Sequence, residues 1–261
     1  MSNKPVFTVV DNFLSEQLLK ELIDSFDSLI WSKNYSQKGL RKSIVFHNKN
    51  YLSNVKNNPI LKDVKDFIFS EEKLSFYFKI LNTKGANFSI KKIQSIKEKI
   101  DINSTEKGLS NSILDKFLAK YVRNIFYKSL TIKKISRYLR RKLLGDKYRI
   151  TFSINSTNGS YSEAPHIDIR NKIIVGLVYL DDVSTNNSSN ITFWQSKVSK
   201  LKYDKNLYIK DGNLIKIEDI FPKRNRLVIF KNDEYAIHSA KGNLSGERRF
   251  IYFSVVASRD L

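Results

Sequence analysis

The stretch Pro-His-Ile-Asp-Ile-Arg-Asn-Lys-Ile-Ile-Val-Gly-Leu-Val-Tyr-Leu-Asp, residues 165–181, decides the fold. It places His166 and Asp168 two positions apart, shortly before the continuous apolar run 173–180. A short apolar run bounded by polar residues is typical of a strand that is buried on both faces. Because residues i and i+2 of a strand project to the same face, His166 and Asp168 can reach a single bound metal ion.

Short strands are predicted on both sides of this stretch. Residues 148–155 alternate between apolar and polar side chains, which predicts a half-buried strand. Turn-rich segments separate the further predicted strands, which lie at 191–194, 214–217, 226–230, 235–238 and 249–256. About eight short strands in one part of the chain indicate a sandwich or a jelly roll.

A second candidate metal ligand ends one of these strands. The chain has 3 histidines, and His238 lies about seventy residues after His166. Together with Asp168 they supply two imidazoles and one carboxylate, which are the ligand types of the facial triad that holds non-heme Fe(II) and leaves positions open for oxygen chemistry. The open positions can take a bidentate oxoacid and O2.

An oxoacid bound there would carry a second carboxylate inside the barrel, and a buried anion needs a cation of fixed geometry. Arg248 follows His238 by ten positions and opens the last strong strand, so it points into the site if that strand pairs near His238. Tyr179 lies on the buried strand and is a second candidate for this carboxylate, although a core tyrosine fits its position equally well. Because Arg249 is adjacent, the sequence leaves open which arginine holds the oxoacid.

These segments resemble the Fe(II)/2-oxoglutarate-dependent dioxygenases, and most of all their prolyl-4-hydroxylase-like branch. The resemblance covers residues 148–257 and the N-terminal strand and helix. The residues that carry it are Pro-His-Ile-Asp at 165–168, Val-Tyr-Leu-Asp at 178–181, Ile-Thr-Phe-Trp at 191–194, Arg-Leu-Val-Ile-Phe at 226–230, His238 and Gly-Glu-Arg at 246–248.

The resemblance implies the cofactors and the roles of the site residues. It implies Fe(II), 2-oxoglutarate as co-substrate and O2, with ascorbate as a further candidate. His166, Asp168 and His238 would bind the iron, Arg248 the C5 carboxylate of 2-oxoglutarate, and Tyr179 would support Arg248. Halogenases of this superfamily replace the carboxylate ligand with a small residue, so a retained aspartate favours hydroxylation.

One departure from the family concerns the turn before the strand at 191–194. The family usually has paired glycines there, whereas this chain has Asn-Asn-Ser-Ser-Asn at 186–190. Substrate contacts inferred from relatives are therefore not carried over to this chain.

The resemblance also implies the fold class, which is α+β. We expect a single domain, residues 1–261, with a double-stranded β-helix (jelly roll, cupin-like) core at 148–257, N-terminal supporting elements at 1–80, and a basic helical insertion at 81–147. Apolar periodicity and capping residues predict a strand at 6–10 and helices at 16–31, near 59–69, at 113–126 and at 133–144.

The positive charge of the chain is concentrated in its middle. The net charge is +20, and residues 81–150 contain 18 Lys or Arg and 5 Asp or Glu, a net of +13. Such a field attracts phosphates, anionic lipid or acidic sugars without choosing among them. We expect an unidentified substrate, with docking of an anionic one on 81–150, or contact of this segment with nucleic acid or a membrane surface. A solvated lysine-rich face explains the charge equally well.

The absence of cysteine and the sequence of the N-terminus both bear on the cellular compartment of the protein. The chain has no cysteine, which excludes a disulfide framework and any zinc-thiolate site. The N-terminal residues lack the pattern of a signal peptide. We therefore expect a cytoplasmic protein, with a peripheral membrane location as the alternative.

Three function classes are consistent with the sequence. The first is a 2-oxoglutarate-dependent hydroxylase that acts on a protein or peptide side chain, or on an anionic saccharide or lipid headgroup. The second is a non-redox, cupin-like metal-binding protein, against which Asp168 and Arg248 argue together. The third is a nucleic-acid-binding module with a degenerate barrel. The sequence leaves the oligomeric state open.

Overall fold

A computed structural model describes most of the chain outside residues 101–147. The described residues are 4–36, 39–46, 49–100, 148–158, 161–169, 171–182, 190–198, 201–204, 207–209, 213–241 and 247–257. The predicted helices at 113–126 and 133–144, and most of the asparagine-rich turn at 186–190, lie outside the described residues.

The N-terminal part combines one strand, a hairpin and five helices. In chain order these are β1 (Phe7–Val10), α1 (Glu16–Asp24), β2 (Ser32–Ser36), β3 (Gly39–Val45), α2 (Lys49–Asn57), α3 (Ile60–Ile68), α4 (Glu71–Thr83) and α5 (Ile90–Lys99). In the part of the chain that the structure describes, no helix is both long and apolar enough to cross a bilayer.

Helix α1 begins where the sequence predicts and ends earlier. The Ser15 hydroxyl accepts a hydrogen bond from the Leu18 N–H at 3.2 Å, which confirms Ser15 as the N-cap. The prediction of a helix through residue 31 is wrong, because the Ser25 hydroxyl donates to the Leu22 carbonyl at 2.7 Å and a 3₁₀ turn, Phe26–Ser28, follows.

The core contains eight strands, the number that the sequence indicates. They are β4 (Tyr148–Asn158), β5 (Glu163–His166), β6 (Lys172–Tyr179), β7 (Ile191–Ser196), β8 (Leu214–Ile220), β9 (Arg226–Lys231), β10 (Ile237–Ala240) and β11 (Glu247–Ala257). Strand β10 begins two residues later than predicted and continues past His238. They form two antiparallel sheets with strand orders β1-β9-β6-β11-β4-β3-β2 and β5-β10-β7-β8. The N-terminal strand and hairpin therefore extend the larger sheet at both of its edges.

The two faces of the larger sheet have different roles. Its outer face packs against the helices in the main hydrophobic core, where Phe253 of β11 contacts Phe69 and Tyr77 at ring-centroid distances of 5.7 and 5.6 Å. Its inner face turns toward the smaller sheet and lines a cavity. The helices therefore support the larger sheet from one face, and the cavity lies on the opposite face.

The inner face of β4 is polar and buried. Ser153, Asn155 and Thr157 are 6%, 0% and 2% exposed. The alternation at 148–155 predicts a half-buried strand with this face in solvent, and that prediction is wrong for Ser153 and Asn155. Their polar groups form hydrogen bonds inside the protein, with each other and with Arg41 of β3.

Candidate active site

A cavity of about 330 Å³ lies between the two sheets. It brings together all five residues that the sequence singled out, which are His166, Asp168, Tyr179, His238 and Arg248. They come from both sheets, because β5 and β10 belong to the smaller sheet while β6 and β11 belong to the larger one.

The two histidines are neighbours across a strand pair. His166 of β5 and His238 of β10 are directly paired, and their ring centroids are 4.4 Å apart. Each Nδ1 lies beside a backbone carbonyl two residues earlier, at 2.8 Å from Ala164 and 2.9 Å from Ala236. A carbonyl can only accept, so each Nδ1 carries the proton and each Nε2 keeps a lone pair for a metal ion.

The environment of His238 keeps its imidazole neutral. Burial disfavours the charged ring, and with the neighbouring His166 it lowers the pKa of His238 to about 4. At neutral pH the ring is therefore a neutral donor, which is the form that binds a divalent metal.

Asp168 faces the same part of the cavity. Its Oδ2 lies 4.0 Å from Nε2 of His238, and its Oδ1 accepts a hydrogen bond from the Lys172 ammonium at 2.6 Å. The Tyr252 hydroxyl donates to Oδ2 at 3.3 Å. Within the described residues, no three His, Cys, Asp or Glu side chains form a set already closed around a metal position. The carboxylate is thus held by protein donors beside the histidines.

The charge state of Asp168 follows from these neighbours. Burial alone would raise the pKa of Asp168, but His238 and the Lys172 ammonium hold it below its ordinary value. Burial, followed by the negative charge of Asp168, raises the pKa of Tyr252 well above its usual range. Asp168 is therefore ionised and Tyr252 neutral at physiological pH.

The two adjacent arginines of β11 have different environments. Arg248 is 4% exposed, lines the cavity, and donates from Nη1 to the Lys241 carbonyl at 3.1 Å. Arg249 forms a paired ion bridge with Asp181, including a 3.0 Å contact from Nε to Oδ2. Because alternate residues of a strand face opposite sides, only Arg248 is placed to meet a ligand in the cavity.

No protein-family model and no curated protein matches this chain. Among solved structures, an oxidoreductase of the 2OG-Fe(II) oxygenase family from Burkholderia pseudomallei matches with a TM-score of 0.52 and 6% identity, over 96% of this chain and 85% of that one. The non-heme α-ketoglutarate-dependent epimerase SnoN from nogalamycin biosynthesis matches with a TM-score of 0.51 and 10% identity, over 97% and 79%. The chain has the fold of the 2-oxoglutarate- and Fe(II)-dependent oxygenases.

Prolyl hydroxylases are also among the matching structures. One from Trichoplax adhaerens, solved with a peptide of the hypoxia-inducible factor, has a TM-score of 0.47 and 14% identity, over 97% of this chain and 84% of that one. At these identities the comparisons concern the fold, and the site has to be argued from its own residues.

Tyr179 lies deep in this oxygenase fold. It is 1% exposed, lines the cavity, and pairs with Phe250 in the β6–β11 register. Burial raises the pKa of Tyr179, while the positive charge of Arg248 opposes that shift. Its hydroxyl is therefore a neutral donor on the same cavity wall as Arg248.

Lys172 is a site residue that the sequence reasoning missed. Strand β6 turns Leu177 and Tyr179 toward the cavity, so strict alternation would turn position 172 away. The β6–β11 register shifts near the strand start, where Val255 pairs with Ile174 but Val256 pairs with Lys172. The extra residue is a β-bulge, and it brings Lys172 into the cavity.

Glu163 enters the cavity by a second bulge. In the β5–β10 pair, His238 lies opposite His166. Ala240, two residues after His238, lies opposite Glu163, which is three residues before His166. The Glu163 carboxylate consequently lies 3.6 Å from Nε2 of His166 instead of facing away. The bulge at Lys172 contains neither glycine nor proline and has no sequence signal, whereas the second bulge contains Pro165, a residue that sheets tolerate at edge strands and bulges.

Proposed function

We propose that this protein is an Fe(II)- and 2-oxoglutarate-dependent hydroxylase that couples oxidative decarboxylation of 2-oxoglutarate to hydroxylation of a substrate. One observation carries the proposal. Two imidazoles that each present Nε2 and a buried carboxylate face one cavity, and its wall also holds a buried arginine and a buried tyrosine.

The donor set fits Fe(II). His166 and His238 are fixed in the tautomer that presents Nε2, and Asp168 is ionised beside them. Two imidazoles and one carboxylate would hold the metal on one side and leave the opposite side accessible from the cavity. Iron bound there would supply the oxidising chemistry that neither imidazole nor carboxylate possesses.

The far wall of the cavity fits the distal carboxylate of 2-oxoglutarate. Arg248 offers a guanidinium fork, and the neighbouring Tyr179 offers a neutral hydroxyl. Both side chains are almost fully buried. A carboxylate that binds between them would therefore lose its bound water and gain hydrogen bonds from the charged guanidinium of Arg248 and the neutral hydroxyl of Tyr179. This fixes the co-substrate at one end while its oxoacid end faces the metal ligands.

Hydroxylation is the reaction that the carboxylate ligand favours. Asp168 would occupy the coordination position that a halide takes in the halogenases of this superfamily. Lys172 and Tyr252 hold its two oxygens in place. The substrate is a protein or peptide side chain, or an anionic saccharide or lipid headgroup, and the charge of residues 81–150 fits docking of an anionic one.

Succinate formation tests the proposal. Purified full-length protein with Fe(II), O2 and 2-oxoglutarate should release succinate slowly, and faster when peptide, saccharide or nucleic-acid pools contain a substrate. His238→Gln should abolish the release, while Arg249→Gln, on the opposite face of β11, should keep it. A folded protein that forms no succinate with any pool, or equal release by His238→Gln, contradicts the proposal.

A further inference from the structure

A third cation of the cavity is held by a neutral partner. Arg41 of β3 lines the cavity and donates from Nε and Nη2 to Oδ1 of Asn155 at 3.0 and 2.7 Å. Asn155 is fully buried, and its Nδ2 donates to the carbonyl and the hydroxyl of Ser153 at 3.1 and 3.0 Å. These bonds fix which atom of the amide faces Arg41, so the guanidinium is oriented before any ligand binds.

No carboxylate among the described residues contacts Arg41 closely enough to neutralise its charge. Within the described part of the chain, Arg41 forms no ion pair, whereas Arg226 and Arg249 each bind an aspartate through two nitrogens. In the cavity itself, Lys172 is paired with Asp168. An arginine held by an amide oxygen keeps its full charge for a ligand.

Arg41 lies close to the metal-ligand residues. A chain of polar contacts joins them, from Nη1 of Arg41 to the Tyr161 hydroxyl at 3.5 Å and from that hydroxyl to Oε1 of Glu163 at 3.1 Å. The other Glu163 oxygen is 3.6 Å from Nε2 of His166. Arg41 is therefore two side chains away from His166, on a strand outside the eight-stranded core.

The charge balance of the cavity favours an anionic ligand. Its described lining has three cations, Arg41, Lys172 and Arg248, against the two carboxylates of Glu163 and Asp168. A divalent metal and a dianionic co-substrate cancel each other, so a net charge of one positive unit remains. Arg248 is assigned to 2-oxoglutarate and Lys172 to Asp168, while the Tyr161 hydroxyl separates Arg41 from the Glu163 carboxylate, so Arg41 is the cation of this lining placed to meet a further anion.

We infer that Arg41 binds an anionic group of the substrate, a carboxylate or a phosphate, and so places the neighbouring C–H bonds beside the iron. The inference rests on the proposed hydroxylase function and narrows its substrate class to small or terminal oxyanion-bearing molecules. Asn155 occupies one side of the Arg41 guanidinium, and on the other side Nη1 makes a long, 3.5 Å contact with the Tyr161 hydroxyl, which an anion would replace or share.

A binding experiment without metal separates this inference from the hydroxylase proposal. Metal-free Arg248→Gln protein, which lacks the guanidinium assigned to 2-oxoglutarate, is titrated with inorganic phosphate and, separately, with acetate, while its thermal midpoint is measured at constant ionic strength. A saturable rise is expected in at least one anion. Adding Arg41→Gln should remove it, and adding Arg249→Gln instead should keep it. An Arg248→Gln protein with no saturable rise, or an unchanged rise when Arg41→Gln is added, overturns the inference while leaving the hydroxylase proposal intact.

A turnover experiment identifies the anion. Succinate release is compared for matched pairs of compounds, carboxylates with their amides and phosphate monoesters with the parent alcohols. Stimulation by only the charged member of a pair is expected. Arg41→Gln should raise KM for that compound between about 10- and 100-fold, the range that loss of a charged hydrogen-bond donor produces, with a smaller change in kcat. Arg41→Lys should recover part of the loss. Equal stimulation by both members of every pair overturns the inference.

Discussion

Replacing Arg248 by glutamine should weaken 2-oxoglutarate binding about 150-fold, which corresponds to about 3 kcal/mol. A charged donor contributes about 1.5–3 kcal/mol per hydrogen bond, and the guanidinium fork offers two donors to one carboxylate. Arg248 is 4% exposed, so water has little access to the site and cannot solvate the carboxylate in place of the lost guanidinium. Two such hydrogen bonds together contribute about 3–6 kcal/mol. Because the glutamine amide keeps one weaker donor, we expect a loss at the lower end of this range, about 3 kcal/mol.

The assay is anaerobic calorimetric titration of the Fe(II)-loaded protein with 2-oxoglutarate. Arg249→Gln is the matched control, because it removes the neighbouring arginine, which is bound to Asp181 on the other face of β11. The control should bind 2-oxoglutarate within about twofold of the unmodified protein and lose only some thermal stability. Equal affinities of Arg248→Gln and the unmodified protein, or a loss confined to Arg249→Gln, refute the assignment.

Three further perturbations test the fold and the site. Gly176→Ala should lower the free energy of unfolding in urea by about 3 kcal/mol, because the added Cβ would lie 2.2 Å from the Phe253 ring. Because the smaller leucine relieves this clash, Phe253→Leu should destabilise the Gly176→Ala protein less than it destabilises the unmodified protein. Asp11→Asn should cost about 1 kcal/mol at pH 7. Hydrogen bonds from Arg226 and Lys223 lower the pKa of Asp11, so the difference should start to shrink as the pH of the unfolding measurement falls below about 4, and should disappear only as the pH passes the lowered pKa of the folded state. Lys172→Met removes the cation that is paired with the Asp168 carboxylate. It should therefore lower the thermal midpoint of the metal-free protein and strengthen Fe(II) binding about tenfold in chelator competition, and weaker Fe(II) binding would contradict this.

The sequence predicts the parts of the site that follow strand alternation. His166 and Asp168 are two positions apart on one strand end, and Arg248 differs from Arg249 only by the face that it occupies. The structure places Arg248 and Arg249 as alternation requires, whereas β5 ends at His166 and Asp168 lies just beyond the strand, still lining the same cavity. The positions of most core strands along the chain also follow from their apolar pattern, because each strand has a core-facing side to bury, whereas their order in the two sheets comes from the structure.

The missed residues depend on local irregularity or on long-range contacts. Glu163 and Lys172 enter the cavity through β-bulges, and a one-residue insertion reverses the side-chain face that alternation assigns. Arg41 comes from a strand more than one hundred residues before β4, and only the sheet pairing shows that it reaches the cavity.

Helix α4 was missed although its signal is in the sequence. Ser70 caps it, as its hydroxyl accepts from the Lys73 N–H at 3.2 Å. Its buried residues recur at helical spacing, and they are Leu74, Tyr77, Phe78 and Leu81. The prediction of a docking surface at 81–150 stays a prediction, since residues 101–147 are outside the described structure.

The most direct test of the central claim is the visible absorption of the anaerobic complex. Adding Fe(II) and 2-oxoglutarate together to the full-length protein should produce a charge-transfer band that saturates at one equivalent of each. Either addition alone should not produce it, and Asp168→Ala should lose it while keeping the circular dichroism of the folded protein. A folded, unmodified protein that shows no band with both ligands present would contradict a 2-oxoglutarate-binding iron site at His166, Asp168 and His238.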